Sequence, residues 1–226
     1  MPLTLGIEAS AVSALVPGSP YLDTNIGYAA SPDAPAWTVS GAFNLTARAV
    51  LPSATGANRF LACQWPSTPS TDQAWLWFIT TAGIMQMTLR NNDGTQRTAN
   101  ILTAAEVNAF GAGPVYIGVR LHSTTGRIVA LTSSNGINWT EVGTPVTVAT
   151  WVATINSLAP LHIGTRSVQA TDKYVTPVYW VEMRTGLDPG AGSRRFLFDA
   201  SEASGTSWTD PRGVPWSLSA AGVIHS

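Results

Sequence analysis

Short segments in which every second residue is apolar, separated by turn sequences, most constrain what this chain can fold into. In one of them, Val115, Ile117, Val119 and Leu121 occupy alternate positions, which is the pattern of a strand with one buried face. About a dozen such segments follow one another, with turn signals roughly every 8–12 residues. They lie at 42–51, 59–65, 74–80, 84–90, 96–102, 115–122, 127–133, 137–142, 160–164, 175–184, 195–198, 207–209 and 214–219.

This spacing predicts an all-β fold. One short helix is predicted, over 103–110, where Thr103 and Glu106 match a capping box. The sequence at 91–94, Asn-Asn-Asp-Gly, indicates a tight hairpin turn because Asn and Gly tolerate positive φ. The run at 75–79 is apolar on both faces and should lie centrally in a sheet. We therefore expect an antiparallel sandwich or jelly roll.

Charge is scarce in this sequence. Asp, Glu, Lys and Arg make up 11% of the 226 residues, against about a quarter in ordinary soluble domains, and the net charge is −1. The chain carries 27 threonines and 20 serines instead. Without a basic excess it cannot displace counterions from nucleic acid, and its hydrophobic fraction of 45% is too high for a disordered chain. We therefore expect neither nucleic-acid binding nor intrinsic disorder.

The sequence indicates synthesis and folding in a cytoplasm. The first residues lack the basic and apolar regions of a secretory signal, and no apolar run approaches the ~18 residues of a membrane span. Membrane insertion is therefore not expected. Cys63 is the one cysteine, so no disulfide can form within the chain, and it is expected to act as a small buried apolar residue.

One domain preceded by an arm is the simplest partition of the chain. Residues 1–30 are small, apolar and rich in turn residues, including the breaker at 17–20, and this is typical of an N-terminal arm or of a first strand against the body. Residues 42–226 contain no internal repeat and no stretch typical of a linker. We assign residues 31–226 to a single jelly-roll domain.

Several segments occur in an order that resembles a known family. They are the proline- and aspartate-rich lead-in at 31–41, the turn and aromatic at 133–140, the strand at 159–164, the segment at 178–188 and the closing tryptophan hairpin at 207–218. Over roughly residues 28–224 the chain resembles the concanavalin A-like (laminin-G-like) jelly-roll modules of tail and other virion proteins in phages that infect actinobacteria. The resemblance implies a sandwich of two antiparallel sheets with an extended N-terminal arm.

The resemblance also implies a function. It implies a non-enzymatic virion structural protein of the minor tail or baseplate type, made in the bacterial host cytoplasm and carried on the particle. Its partners would be other tail or capsid proteins, contacted through the arm, copies of itself in a symmetric oligomer such as a trimer, and host-surface glycans. Two alternatives stay open: a capsid decoration (head-stabilising) protein on the same fold, and a free carbohydrate-binding lectin or cryptic glycan hydrolase.

No residue pattern predicts catalysis, a cofactor or a metal site. A jelly-roll glycosidase needs two carboxylates roughly 5–10 Å apart, and none of the five glutamates has a carboxylate two residues away. Glu182 lies in a strong strand and is expected to be solvated or paired with arginine. His122, His162 and His225 lack the spacing of metal ligands. We therefore expect no enzymatic activity, no catalytic residue, no cofactor and no bound metal.

Nine tryptophans are the remaining clue to function. An indole ring can stack on a sugar, or it can fill a core or a subunit interface. Trp75, Trp77 and Trp180 lie in strongly apolar strands and are expected in the core, and Trp139 is expected to follow its turn as a core aromatic. Four tryptophans nearer turns or edges are candidate contacts for a glycan or a neighbouring subunit: Trp37, Trp151, Trp208 and Trp216.

Overall fold

The fold is described from a computed structural model, which describes residues 19–53, 56–66, 72–166, 173–220 and 223–225. Within these ranges the regular structure consists of strands, short 3-10 helices and one α-helix, α1 (Ala104–Ala109). The strands are β1 (Tyr21–Asp23), β2 (Ala29–Ser31), β3 (Phe43–Val50), β4 (Arg59–Gln64), β5 (Trp75–Ile79), β6 (Met85–Arg90), β7 (Gln96–Leu102), β8 (Pro114–Leu121), β9 (Arg127–Ser133), β10 (Trp139–Thr147), β11 (Leu161–Ile163), β12 (Pro177–Thr185), β13 (Arg194–Asp199), β14 (Ser207–Thr209), β15 (Pro215–Leu218) and β16 (Ile224–His225).

The strands form two antiparallel sheets that enclose a common core. The first sheet has the order β10-β9-β8-β3-β12-β1-β16, with β13 also paired to β12. The second sheet has the order β14-β15-β2-β11-β4-β5-β6-β7. Neighbours such as β3 and β12 are far apart in sequence, so the chain crosses repeatedly between the sheets, as in a jelly roll. The predicted all-β sandwich of two antiparallel sheets is confirmed.

The core between the sheets follows the predicted alternation. Phe43 and Leu45 of β3 are completely buried, as are Trp75 and Trp77 of β5. Trp75 stacks on Phe196 of the first sheet, with 6.2 Å between ring centroids, so the two sheets meet through large aromatic side chains. Burying one such side chain contributes about 1.5–3 kcal/mol. The core placement predicted for Trp75 and Trp77 is confirmed.

Strand β5 occupies the central position that its two-sided apolar sequence predicts. It lies between β4 and β6, and all five of its residues are buried. Its other face contributes Leu76 and Phe78 to a second apolar cluster, which they form with Phe60, Cys63 and Trp65 on the outer face of the second sheet. Cys63 is a fully buried thiol, as predicted, and its Sγ donates to the carbonyl of Thr165 at 3.3 Å.

The local turn and helix signals are also confirmed. Gly94 has a φ of 82°, and the amide of Asn91 donates to the carbonyl of Thr95, so the sequence at 91–94 closes the hairpin between β6 and β7. At α1 the Thr103 hydroxyl accepts from the amide of Glu106, whose carboxylate accepts from the amide of Thr103. Among the described residues no helix is both long and apolar enough to cross a membrane.

The segment predicted as an arm is in part a component of both sheets. β1 pairs with β12 and β16 in the first sheet, whereas β2 pairs with β11 and β15 in the second. Residues 19–30 therefore belong to the sandwich, and the boundary predicted at residue 30 falls inside strand β2. Residues 1–18 lie outside the described residues, so the arm stays a prediction for them.

Strand β10 begins and ends later than predicted. The Asn135 side chain accepts hydrogen bonds from the amides of Ile137 and Asn138, which keeps both residues in the turn, and the strand starts at Trp139. Beyond Val142 the pairing with β9 shifts register and resumes at Val146. This irregularity extends the strand past the break in its apolar pattern.

The central position of Trp77 predicts a large cost for its removal. We expect Trp77→Ala to lower the free energy of unfolding by about 3–5 kcal/mol, because it leaves a cavity between the sheets. The matched control is Val152→Ala, since this side chain is 72% exposed and should change stability by less than about 0.5 kcal/mol. Urea denaturation of both variants measures the difference, and equal midpoints would contradict the assignment of Trp77 to the core.

Candidate functional site

The outer face of the first sheet carries the candidate site. On β12, Val181 and Met183 point into the core and are 0% exposed, so Trp180 and Glu182 point outward. A register shift lies between Val178 and Trp180, where β12 pairs with β3. Such a bulge adds one residue to a strand and changes the direction of its side chains. It places Tyr179 on the same face as Trp180.

Four aromatic side chains cross this face from strand to strand, and we call Tyr21, Tyr116, Tyr179 and Trp180 the aromatic row. Ring centroids are 5.8 Å apart between Tyr21 and Tyr179, and 6.1 Å apart between Tyr116 and Trp180. Tyr116 and Trp180 lie directly opposite Arg48 on its two neighbouring strands. At the edge of the sheet His225 stacks on Tyr21 at 5.2 Å, which extends the row onto β16.

The rings of the aromatic row are available to a ligand to different degrees. Tyr21, Tyr179 and Trp180 are partly exposed, whereas Tyr116 is 4% exposed and forms part of the floor. A flat, partly exposed ring offers an apolar surface on which the C–H face of a sugar can pack, and Tyr and Trp add a polar group at the rim. The row therefore has the chemistry of a carbohydrate platform.

Arg48 lies in the middle of the aromatic row. Its guanidinium carbon is 4.0 Å from the ring centroid of Tyr179 and 5.9 Å from that of Tyr116, so two rings stabilise the cation. Arg48 is 4% exposed, and burial lowers the pKa of its guanidinium, while Tyr116, Tyr179 and Asp199 act in the opposite direction. Within the described part of the chain, no carboxylate lies within 4.0 Å of its nitrogens.

Next to the aromatic row, arginines and glutamates form ion pairs on the same face. Glu182 pairs with Arg194 and, at 3.0 Å, with Arg184, which confirms the arginine-paired interpretation of Glu182. Glu141 is shared in the same way by two arginines: its carboxylate lies 2.7 Å from Arg127 and 3.3 Å from Arg120. The hydrogen bond from Arg127 lowers the pKa of Glu141.

Three of the four predicted contact tryptophans are buried in the core. Trp37, Trp151 and Trp216 are 1%, 4% and 2% exposed. These rings have no free face for a sugar or a subunit, because they pack between the sheets or beneath their connecting loops. Trp208 is partly exposed and stacks on Trp216 at 6.4 Å. One of its faces is therefore used within the protein, and its role as a contact stays a prediction.

Two tryptophans predicted for the core lie elsewhere. Trp180 is partly exposed in the aromatic row, so its core prediction is wrong, because the bulge at Tyr179 reverses the alternation in β12. Trp139 is also partly exposed and is outside the core clusters, and its indole N–H donates to the carbonyl of Gly136 at 3.1 Å. This hydrogen bond holds the Trp139 ring against its own turn, so the ring does not point into the core.

Sequence reasoning missed most of the candidate site. Tyr21, Tyr116, Tyr179 and Arg48 attracted no prediction, since each is an ordinary strand residue in the printed sequence. One signal was available: two adjacent aromatics, Tyr179 and Trp180, stand between inward-facing valines. A strand that keeps strict alternation cannot bury Val178 and Val181 on the same side, so this spacing indicates a bulge with two outward side chains.

Other described parts of the molecule have fewer side chains that could bind a ligand or a metal ion. A cleft of about 350 Å³ lies beside the C-terminal end of α1, and its lining is apolar or uncharged, including Val107, Asn108 and Val175. Val175 has a φ of 71°, which is strained for a β-branched residue. Among the described residues no group of three or more His, Cys, Asp and Glu side chains could hold a metal ion.

The fold resembles those of several solved structures. The chain superposes on a protein from Bacteroides ovatus, which carries the provisional description of a carbohydrate binding protein, with a TM-score of 0.57, 12% identity, and coverage of 93% of this chain and 60% of that one. Domains LG4-5 of the mouse laminin alpha1 chain give a TM-score of 0.48 at 10% identity, covering 92% of this chain and 53% of theirs. The CBM40 domain of a Ruminococcus gnavus IT-sialidase gives a TM-score of 0.46 at 12% identity. The match covers 79% of this chain and 91% of that domain.

These comparisons concern the fold alone. No family model matches the chain, and no curated protein matches it. The chain spans less than two thirds of the Bacteroides protein. The superposition on the Bacteroides protein supports the predicted concanavalin A-like jelly-roll fold.

Burial of His162 predicts a pH dependence of stability. His162 lies on the outer face of the second sheet, 8% exposed, and burial lowers its pKa to about 4. In the unfolded chain the histidine pKa is about 6.5, so between about pH 6.5 and pH 4 the unfolded chain binds a proton that the folded protein does not. The free energy of unfolding therefore decreases as pH falls through this range, by roughly 3 kcal/mol in total.

The test is the free energy of unfolding at pH 7 and pH 4.5. We expect His162→Gln to lose less stability over this interval than the wild type, whatever its stability at pH 7. Gln86→Ala, on the same sheet, removes no titratable group and should keep the wild-type difference. An unchanged difference in His162→Gln would show that another group causes the loss.

Proposed function

We propose that this protein is a non-catalytic carbohydrate-binding protein that holds a glycan on the aromatic row. The observation that carries the proposal is the alignment of partly exposed rings, Tyr21, Tyr179 and Trp180, on one sheet face. Partly exposed rings with hydroxyl and indole N–H groups at their rims, and with the guanidinium of Arg48 among them, suit a ligand that has both C–H faces and hydroxyl groups.

The dimensions of the face suit an oligosaccharide. From Tyr116 on β8 to His225 on β16 the row crosses four strand intervals. At about 4.8 Å per interval this is about 19 Å. The partly exposed rings, from Trp180 on β12 to His225 on β16, cover two of these intervals, about 10 Å, which suits two sugar units.

The surroundings of Glu182 support a non-catalytic role. A glycosidase needs a second carboxylate facing the first across the scissile bond. The cross-strand neighbours of Glu182 are Thr46 and Leu197, and its own carboxylate is held by Arg184 and Arg194. The provisional description of the Bacteroides protein as carbohydrate-binding is in keeping with binding without turnover.

Substitution of Trp180 tests the location of the site. A glycan array identifies ligands of the wild type, and titration calorimetry then compares variants on the best of them. We expect Trp180→Ala to weaken binding by about tenfold or more, about 1.4 kcal/mol, because it removes a stacking surface. Trp208→Ala is the matched tryptophan control and should bind like the wild type. A selective loss in Trp208→Ala would place the site at the closing hairpin instead.

We further propose that the protein acts on a phage particle, as a minor tail or baseplate-type component that attaches to host-surface glycans. The resemblance in the segments at 31–41, 133–140 and 207–218 supports this setting. In this proposal residues 1–18 contact other virion proteins, and the protein forms a symmetric oligomer such as a trimer.

Two deletions separate docking from folding. Removing residues 1–18 leaves β1 and β2 intact, so we expect an unchanged thermal midpoint but loss of incorporation into particles. Removing residues 1–35 takes one strand from each sheet and should destabilise the sandwich itself. Normal incorporation of the shorter deletion would contradict docking through the N-terminal segment.

A further inference from the structure

Arg48 is a buried cation in the centre of the aromatic row, and the charge of Asp199 acts on it without an ion pair within 4.0 Å. It is 4% exposed, and its Nε lacks a hydrogen-bond partner within the described part of the chain. Rings of Tyr116 and Tyr179 contact it on two sides. Cation–π contacts recover only part of the hydration that a buried guanidinium loses. An anion brought to this point would therefore be bound more strongly than one placed over an exposed arginine.

The nearby carboxylates already have partners. Asp199, opposite Trp180 on β13, accepts from the amide of Ser201 at 2.9 Å and from its hydroxyl at 2.7 Å. Glu182 and Glu141 are each shared by two arginines. Arg120 also lies 3.7 Å from Asp188, so these four arginines share three carboxylates, and Arg48 and Asp199 add one charge of each sign. The five arginines thus exceed the four carboxylates by one, and Arg48 is the one of the five without an ion pair within 4.0 Å among the described residues.

We infer that the glycan held on the aromatic row is acidic, and that its carboxylate or sulfate group lies over Arg48. This inference rests on the proposed function, since it names the ligand class of the same site. Sugar rings pack on Tyr179 and Trp180 while the anionic oxygens accept hydrogen bonds from the guanidinium. Because the rings of Tyr116 and Tyr179 already pack against the buried guanidinium, little side-chain entropy is lost on binding.

The depth of Arg48 in the sheet face couples recognition of the charge to stacking of the sugar. The guanidinium forms part of the floor and does not project, so the anion reaches it only when the attached sugar lies flat on the row. Its neighbours Tyr116 and Trp180 are fixed by strand register on either side. Recognition of the charge and stacking of the sugar are therefore coupled in one geometry.

A glycan array carrying sialylated, uronic-acid and sulfated oligosaccharides beside their neutral counterparts tests the inference. We expect the wild type to bind acidic members and to lose about tenfold or more in affinity when the acidic group is removed. Arg48→Met, which keeps an apolar stem between the two tyrosines, should show the same loss on acidic members, and Arg48→Lys a smaller one. Arg97→Met, on β7 of the second sheet, is the matched control and should bind normally.

The outcomes separate this inference from the proposed function. Binding of neutral and acidic members with equal affinity, unchanged in Arg48→Met, would overturn the acidic ligand and leave carbohydrate binding in place. Wild type that binds no member would overturn both. Should Arg48→Met fail to fold, the wild type alone decides: its affinity for an acidic member must exceed that for the matched neutral member by about tenfold or more, and equal affinities would contradict the inference.

Discussion

The pairing of β12 with β3 is the constraint on which the rest of the sandwich depends. β12 pairs with β3 along most of its length, with β1 at its start and with β13 further on, so it joins the two halves of the first sheet. Its inward side chains, Val181 and Met183, are completely buried, and its outward side chains include Trp180 and Glu182. One strand thus supports the core and the candidate site together, and a slip in its register would damage both.

Local signals predicted much of the fold, because the residues that produce them are close in sequence. The alternation in β3 and β8, the turn at 91–94 and the capping box of Thr103 depend on neighbours within a few positions. β1 and β2 could not be recognised in this way. Each has three residues, too few to show a period, and their partners β12 and β15 lie more than 150 positions away. Only long-range pairing places them in the sheets.

The candidate site was predictable in its chemistry but not in its residues. The number of tryptophans pointed to aromatic contacts, yet Trp37, Trp151 and Trp216 fill the interior, where their size contributes most to apolar burial. The exposed aromatics are mainly tyrosines that a bulge and strand register bring together. Arg48 faces Tyr116 and Trp180 only because β3 lies between β8 and β12, and this order is a property of the topology.

The stacking of His225 on Tyr21 has a practical consequence. β1 and β16 are neighbours, so the first and last described strands meet at one edge of the binding face. A fused protein joined to the chain directly after His225 would start beside the aromatic row and obstruct a ligand sterically. A label in the turn between β6 and β7, on the second sheet, leaves this edge open. Immobilisation through that turn would present the face to a glycan surface without competition from the anchor.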